Sequence, residues 1–193
     1  APLRTHRHLE RTRRTGAGTA AGPVVLVPDA LAGSHSLVHR DSSGALVELW
    51  EAPGAIGSGR LADAALAPAA IGDPAAYLES SGMRVVVYRG ADEHVHSLYW
   101  AGTEPAGHDA LSASAGAPTA QGDPTAYELG GTKHVIYRAD GGNLHELWWT
   151  DGAVSHGRIT GYCGEPLAAG DPSAYPVTTA GQNVVLYRGV DGH

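Results

Sequence analysis

Short stretches of alternating apolar and polar residues, separated by turns rich in glycine, follow one another along most of the chain. The clearest run comprises residues 125–129, 134–138 and 144–149, with Gly130-Gly131 and Asp140-Gly141-Gly142 between them. A period of two, carried by β-branched and aromatic residues, is typical of strands, and the turn residues favour antiparallel hairpins. No segment shows helical periodicity. The pattern therefore predicts a chain of β-hairpins.

This pattern recurs four times with a period close to 49 residues. A Gly-Asp-Pro-x-x-Tyr motif occupies residues 72–77, 122–127 and 170–175, and each copy precedes a strand-like run that ends in Tyr-Arg. A more divergent copy ends in His39-Arg40. The arginines that end the four runs, spaced 49, 49 and 50 residues apart, are Arg40, Arg89, Arg138 and Arg188. A period of this size is typical of repeat architectures.

Three to four antiparallel strands per repeat form the unit of a β-propeller blade, and one blade cannot bury both faces alone. The sequence therefore predicts an all-β fold, a β-propeller with blades near 22–71, 72–121, 122–169 and 170–193, the last incomplete. Residues 1–21 are predicted to be a basic tail or a segment that closes the ring. The alternatives are that the chain is a fragment of a larger ring, or that two chains complete one ring.

Charge and composition limit the possible partners. The 193 residues carry a net charge of −7, and five arginines against one acid make residues 1–14 basic. The remaining residues hold 8 basic and 19 acidic groups, which argues against nucleic acid as the main partner because phosphates need a basic surface. No apolar stretch approaches the ~20 residues that span a bilayer. Cys163 is the single cysteine, so no intramolecular disulfide forms, and no signal peptide is visible.

The repeated arginines are candidate ligand-binding groups. Guanidinium groups suit sugar hydroxyls and carboxylates, so the row Arg40, Arg89, Arg138 and Arg188 is compatible with a repeated ligand clamp. The competing structural interpretation is that each arginine pairs with a backbone carbonyl or with the aspartate of the neighbouring turn. Those aspartates are Asp41, Asp92, Asp140 and Asp191.

The third strand of each repeat carries a second candidate set. Glu48, Ser97 and Glu146 share one position, and an aromatic residue two places later lies on the same face. These aromatic residues are Trp50, Tyr99 and Trp148, and the tryptophans that follow on the opposite face are Trp100 and Trp149. A carboxylate beside an exposed aromatic ring suits sugar binding. The alternative is that one aromatic residue of each pair packs between blades.

Other chemistries have weaker support in the sequence. His94 and His96 could place two imidazoles on one strand face, but no third metal ligand is indicated. The repeated aspartates Asp73, Asp123 and Asp171 stand in Gly-Asp-Pro turns, which explains them without catalysis. Neither nucleotide-binding nor hydrolase motifs are present, so no cofactor and no catalytic residue is predicted.

The repeat unit, clearest over residues 122–149, resembles that of an uncharacterised family of bacterial propeller arrays with Gly-Asp-Pro-x-x-Tyr, Val-Val-Tyr-Arg and Asp-Gly-His-Ile-His-Glu-Leu-Trp motifs. More distantly, the second and third strands are similar to fucose-binding propeller lectins. In those lectins a strand Arg, a Glu on the next strand and a following Trp hold the sugar between blades. Glu146 and Trp149 match that Glu and Trp, while Val135 stands at the Arg position, so fucose specificity is not implied.

We therefore expect a non-catalytic, multivalent, lectin-like propeller whose partners are glycans. A secreted or cell-surface location would suit that function, and a homo-oligomer that completes the ring is a further possibility. The alternatives are a protein-interaction scaffold and a glycan-acting hydrolase with one active site. A hydrolase should show one blade with distinctive acids, and no blade does.

Overall fold

A computed structural model describes residues 18–28, 35–52, 54–162 and 164–193. Four antiparallel sheets follow one another along this part of the chain, three with four strands and one with two. In each sheet the strands pair in sequence order, so each is a simple up-and-down meander. The predicted all-β propeller fold is confirmed. Residues 1–17 of the predicted N-terminal segment, and Cys163, lie outside the described residues, whereas Ala20 and Ala21 belong to the first strand.

The strands are distributed over the four sheets in chain order. The first blade contains β1 (Ala20–Pro28), β2 (His35–Asp41), β3 (Leu46–Ala52) and β4 (Ala55–Arg60). The second contains β5 (Ala75–Leu78), β6 (Arg84–Arg89), β7 (Val95–Trp100) and β8 (Gly107–Asp109). The third contains β9 (Thr125–Leu129), β10 (Thr132–Arg138), β11 (Leu144–Trp149) and β12 (Ser155–Arg158). The fourth sheet pairs β13 (Ser173–Val177) with β14 (Gln182–Leu186).

Two short helices occur where the sequence showed no helical period. They are α1 (Leu61–Ala65) and α2 (Leu111–Ser114), and each follows the outermost strand of its blade. A single helical turn is too short to display a period of 3.6 residues, which explains why the pattern did not predict it. Among the described residues, no helix is long and apolar enough to cross a membrane.

The first strands of successive sheets contact one another, β1 with β5, β5 with β9, and β9 with β13. This is the arrangement of strands around a propeller axis. The apolar core lies between the blades. Val38 and Leu46 of the first blade pack in one cluster with Val86 and Leu98 of the second, and a comparable cluster joins the second and third blades. The second sheet thus buries one face against the first blade and the other against the third.

The Tyr-Arg pair of each repeat has a structural role near these cores. The hydroxyl groups of Tyr88, Tyr137 and Tyr187 donate to the carbonyls of Pro68, Pro118 and Pro166, at 3.1, 2.8 and 3.0 Å. Each tyrosine therefore fixes the proline-containing linker that precedes its own blade.

Each Gly-Asp-Pro turn joins the preceding blade. Asp123 lies against Gly72, where a Cβ atom would overlap its carboxylate, and Asp73 and Asp171 have the same relation to Gly22 and Gly122. Burial raises the pKa of Asp123, the carboxylates of Asp171 and Asp73 add to this rise, and the Asp73 amide and Arg89 oppose it. The turn motif thus serves inter-blade packing as well as chain reversal.

We expect Gly72→Ala to destabilise the fold by about 1–3 kcal/mol, because the added methyl group must displace the Asp123 carboxylate. The matched control is Gly59→Ala, since a Cβ atom on Gly59 meets no atom within 4 Å. Urea unfolding of both variants measures the difference. Equal midpoints for the two variants would contradict the proposed packing of aspartate on glycine.

Candidate functional site

Two clefts open between neighbouring blades. Cleft 1, between the first and second blades, has a volume of about 420 Å³. Cleft 2, between the second and third blades, has a volume of about 230 Å³. In each cleft, the earlier blade supplies one aromatic residue of the third strand and the later blade supplies a tryptophan of its own third strand. The pairs are Trp50 with Trp100 in cleft 1 and Tyr99 with Trp149 in cleft 2. The two sets of predicted aromatic residues therefore meet across blades.

A buried polar cluster lies in cleft 1. The Glu48 carboxylate accepts a hydrogen bond from the Ser36 hydroxyl at 2.6 Å and pairs with the Arg84 guanidinium at 3.2 Å. Arg84 also donates to Ser36 at 3.1 Å and to the carbonyl of Gly102. Glu48 and Arg84 are only 8% and 6% exposed, so two opposite charges are held together beside the cleft with little water around them.

Two tryptophans flank this cluster. Trp50 lies over Gly57 of β4 and is 37% exposed. Trp100 is 4% exposed, and the Arg84 guanidinium lies 5.1 Å from its ring centroid. The indole Nε1 of Trp100 is buried and has no hydrogen-bond partner among the residues that the structure describes. A buried donor of this kind is a position where an acceptor on a ligand would be stabilised.

Strand register explains why these residues meet. Ser36 pairs with Trp50 across β2 and β3, and Glu48 lies opposite Gly59 on β4, which adds no side chain beside the carboxylate. Arg84 is the first residue of β6 and lies opposite Trp100. Glu48 and Trp50 thus face the second blade, and Arg84 and Trp100 face back toward the first.

Arg60 lies at the rim of cleft 1 but is held by other groups. Its guanidinium donates to Asp41 at 2.9 Å and to the Ser43 hydroxyl at 3.3 Å. Burial of Asp41 opposes ionisation, but hydrogen bonds from Ser43, from the Ala45 amide and from Arg60 outweigh it and lower the pKa of Asp41 to about 2. Asp41 therefore stays charged and anchors Arg60 away from the Glu48 cluster.

Cleft 2 uses the same positions with different residues. Ser97 and Tyr99 of the second blade take the places of Glu48 and Trp50, and Trp149 of the third blade takes the place of Trp100. Asp109 on β8 lies opposite Ser97, at the position that Gly59 occupies in the first blade. Burial and then the Asp109 carboxylate raise the pKa of the Tyr99 hydroxyl.

The predicted residues of the third blade form a related polar pair. The Glu146 carboxylate bonds the His134 imidazole at 2.7 Å, and His134 stacks on Tyr127 with ring centroids 5.0 Å apart. Trp148 is 36% exposed and lies over Gly157. Trp149 lines cleft 2, whereas Glu146 and Trp148 line neither cleft.

The arginine row lies elsewhere. Arg40 and Arg138 donate to the carbonyls of Gly72 and Gln121 at 3.1 and 3.0 Å, and Arg188 donates to the carbonyl of Ala169 at 3.3 Å. Arg40 and Arg138 also lie 3.8 and 3.4 Å from Asp73 and Asp171, the turn aspartates of the following repeats.

These contacts match the structural interpretation of the arginine row in part. Arg40, Arg138 and Arg188 bind backbone carbonyls, as that interpretation expected. The paired aspartates belong to Gly-Asp-Pro turns rather than to the hairpin turns. The row, including Arg89, lines neither cleft. A ligand-clamp role for these arginines stays a prediction.

The two histidines of the proposed metal pair have separate partners. The His94 imidazole bonds the Ser112 hydroxyl at 3.0 Å. His96 bonds Asp92 at 2.8 Å and His108 at 3.0 Å, and it stacks on Tyr88. Within the described ranges, no group of three or more His, Cys, Asp or Glu side chains is arranged to hold a metal ion.

Sequence reasoning did not identify Arg84 or Asp109. The resemblance to fucose-binding lectins placed the binding arginine in the same repeat as its glutamate, at Val135, whereas Glu48 receives its arginine from the next blade. The sequence does contain a pattern that could have identified Arg84, because the residue five places before each arginine of the row is polar. These residues are His35, Arg84, Lys133 and Asn183.

Comparison with solved structures finds propeller lectins with a similar fold. A fucose lectin from Kordia zhangzhouensis, in complex with methyl-fucoside, matches 71% of this chain and its own entire length, with a TM-score of 0.51 and 20% identity. A variant of Aleuria aurantia lectin in complex with α-methyl-L-fucoside matches with a TM-score of 0.53 and 16% identity. The match covers 74% of this chain but only 46% of that lectin. The distant lectin resemblance is therefore supported at the level of the fold.

An enzyme shares the fold as well. An α-L-arabinofuranosidase from Clostridium thermocellum matches 94% of this chain and 74% of its own, with a TM-score of 0.53 and 9% identity. No protein-family model matches the sequence, and no curated protein matches it. The fold alone is thus common to sugar-binding proteins and to a glycosidase, and function has to be argued from the clefts.

We expect Arg84→Met to cost about 3–5 kcal/mol of stability, because it leaves the Glu48 carboxylate buried without its cation. The double variant Glu48→Gln with Arg84→Met should recover part of this loss. The control is Asp63→Asn, which removes the exposed Arg60–Asp63 pair at 3.7 Å and should change stability by at most about 1 kcal/mol. Chemical unfolding gives all three values. Equal losses from Arg84→Met and Asp63→Asn would contradict a buried pair.

Proposed function

We propose that the chain is a non-catalytic carbohydrate-binding protein and that cleft 1 is its main sugar site. The observation that carries this proposal is the juxtaposition of the Glu48–Arg84 pair with Trp50 and Trp100 in an open inter-blade cleft. A sugar presents hydroxyl groups around its edge and C–H groups on its faces. The cleft offers directional polar groups for the former and aromatic surface for the latter.

The polar cluster is suited to hydroxyl groups rather than to a free charge. Glu48 and Arg84 neutralise each other, so a charged ligand gains little net attraction from them. A carboxylate and a guanidinium side by side can still accept from one hydroxyl and donate to the next. The indole N–H of Trp100, which has no partner among the described residues, adds a third directional group at the same wall.

Several sites on one chain would make the binding multivalent. Cleft 2 supplies Tyr99 and Trp149, and the third blade also carries Glu146 and the partly exposed Trp148. Weak sites held at fixed spacing gain avidity on a surface that repeats its glycan. The bound fucosides of the similar lectins support sugars as the ligand class, and the sugar itself is not assigned.

The proposal also covers the location, the family and the assembly of the protein. A glycan-binding role would suit a secreted or cell-surface location, and membership of the bacterial repeat family stays a proposal. The fourth sheet has two described strands and exposes Leu186 and Val190 by 56% and 65%. Strands from a second copy of the chain would cover this surface and complete the sheet.

The test is a glycan array with the purified chain. We expect selective binding that falls by about tenfold in Trp50→Ala and in Glu48→Gln, because each variant removes one wall or one acceptor of cleft 1. Trp50 is partly exposed, so its truncation should leave the fold intact. The control variant Tyr162→Ala removes an aromatic side chain that is 72% exposed and lies outside both clefts.

Two results would contradict the proposal. If the folded protein binds no glycan on the array, the proposed lectin function is wrong. Selective binding that Trp50→Ala and Glu48→Gln leave unchanged would place the sugar site outside cleft 1.

A further inference from the structure

Cleft 2 differs from cleft 1 in the position and environment of its carboxylate. In the first blade the acid stands on the third strand as Glu48, opposite Gly59. In the second blade the third strand has Ser97 instead, and the acid stands opposite it on the fourth strand as Asp109. The same cross-strand pair thus holds one carboxylate in either blade, but the strand that carries it has changed.

The groups that neutralise Glu48 have no counterpart beside Asp109. Val85 occupies the place of Ser36, and Lys133 occupies the place of Arg84. The Lys133 ammonium group donates to the carbonyl of Thr150 at 2.8 Å and lies 3.9 Å from Glu79, so its charge is already engaged. No ion pair or hydrogen bond of the Asp109 carboxylate occurs within the described part of the chain.

The neighbouring histidine does not supply the missing positive charge. Burial lowers the pKa of the His108 imidazole, and the adjacent His96 lowers it further. The carboxylates of Asp109 and Asp92 act to raise this pKa, but their effect is smaller. His108 is therefore biased toward its neutral form. The Asp109 carboxylate consequently faces the cleft with its charge uncompensated.

Aromatic rings surround the same space, and the Glu79 carboxylate beside them pairs with Lys133 at 3.9 Å. Tyr77, Tyr99 and Trp149 line the cleft together with Glu79. Burial and then the carboxylates of Glu79 and Glu128 raise the pKa of the Tyr77 hydroxyl. Aromatic faces and carboxylates attract the same kind of ligand group, namely a cation.

Tyr77 provides an independent sign of a ligand. Its side chain is more than nine-tenths buried and lines the cleft, yet its hydroxyl group has no hydrogen-bond partner among the described residues. An unpaired buried hydroxyl costs free energy, which a ligand that bonds to it recovers. Cleft 1 shows the same feature at the Trp100 indole.

We propose that cleft 2 binds a sugar that carries a protonated amine, that is, an amino sugar with a free ammonium group. The ammonium group would lie between Asp109 and the aromatic rings, and the sugar ring would contact Tyr99 and Trp149. This inference rests on the proposed carbohydrate-binding function and gives the second cleft a different ligand class from the first. The two clefts would then recognise a neutral and a cationic sugar side by side.

Isothermal titration with glucosamine and with N-acetylglucosamine tests the charge requirement, because acetylation removes the positive charge and keeps the ring. Tetramethylammonium serves as a cation without a sugar. We expect glucosamine to bind the intact chain about tenfold more tightly than either of the others. Equal affinity for the two sugars would overturn the ammonium site, and equal affinity for tetramethylammonium would overturn the sugar contact.

Variants locate the site. Asp109→Asn should weaken glucosamine binding by about tenfold, because it removes the uncompensated charge and keeps the side-chain shape. The control Asp151→Asn removes an exposed acid outside both clefts and should have no effect. Tyr77→Phe should also weaken binding, because it removes the buried hydroxyl group that would bond to the ligand. Glucosamine affinity that is the same in Asp109→Asn and in Asp151→Asn would overturn the proposal.

The two proposals fail in different ways. Glu48→Gln should weaken binding of the neutral glycan selected by the array by about tenfold and leave glucosamine binding unchanged, since Glu48 lines cleft 1 and not cleft 2. A chain that binds neutral glycan through Glu48 but shows no preference for glucosamine would keep the lectin function and overturn only the assignment of cleft 2.

Discussion

Each blade of this propeller must bury both faces of its sheet against its neighbours, and the other features of the chain depend on that constraint. The Gly-Asp-Pro turn and the arginine that follows it meet this need, since Asp123 sits on Gly72 and Arg138 reaches both Gln121 and Asp171. These contacts repeat from one blade junction to the next. They set the spacing of the sheets, and the clefts are the part of each junction that the packed side chains leave open.

A cleft between two blades draws on both, and small changes at matching positions therefore alter its chemistry. Cleft 1 combines Glu48 with Arg84 from the next blade and is close to neutral at its polar centre. Cleft 2 combines Ser97 and Asp109 with a lysine that is engaged elsewhere, and it is negative. The same fold thus places different polar groups in the two clefts.

The sequence predicted the propeller, and it predicted β9 and β11 with their observed bounds, because hairpins are local and their turn residues are explicit. It also selected Glu48, Trp50 and Trp100 as candidates. It did not pair Glu48 with Arg84, because that contact joins residues 36 positions apart in different blades. Periodicity indicates on which face of its strand a side chain lies, but it does not indicate which residues of the neighbouring blade that face contacts. The repetition of the arginine row was compatible both with a ligand clamp and with a structural role, and Arg40, Arg138 and Arg188 do bind backbone carbonyls.

The most direct measurement of the central claim is a crystal structure of the chain with the glycan that the array selects. We predict sugar density in cleft 1, with hydroxyl groups bonded to Glu48 and Arg84, the Trp100 indole N–H donating to the ligand, and a C–H face against Trp50. Density at a site that contacts neither Glu48 nor Trp100, with cleft 1 unchanged, would contradict the account.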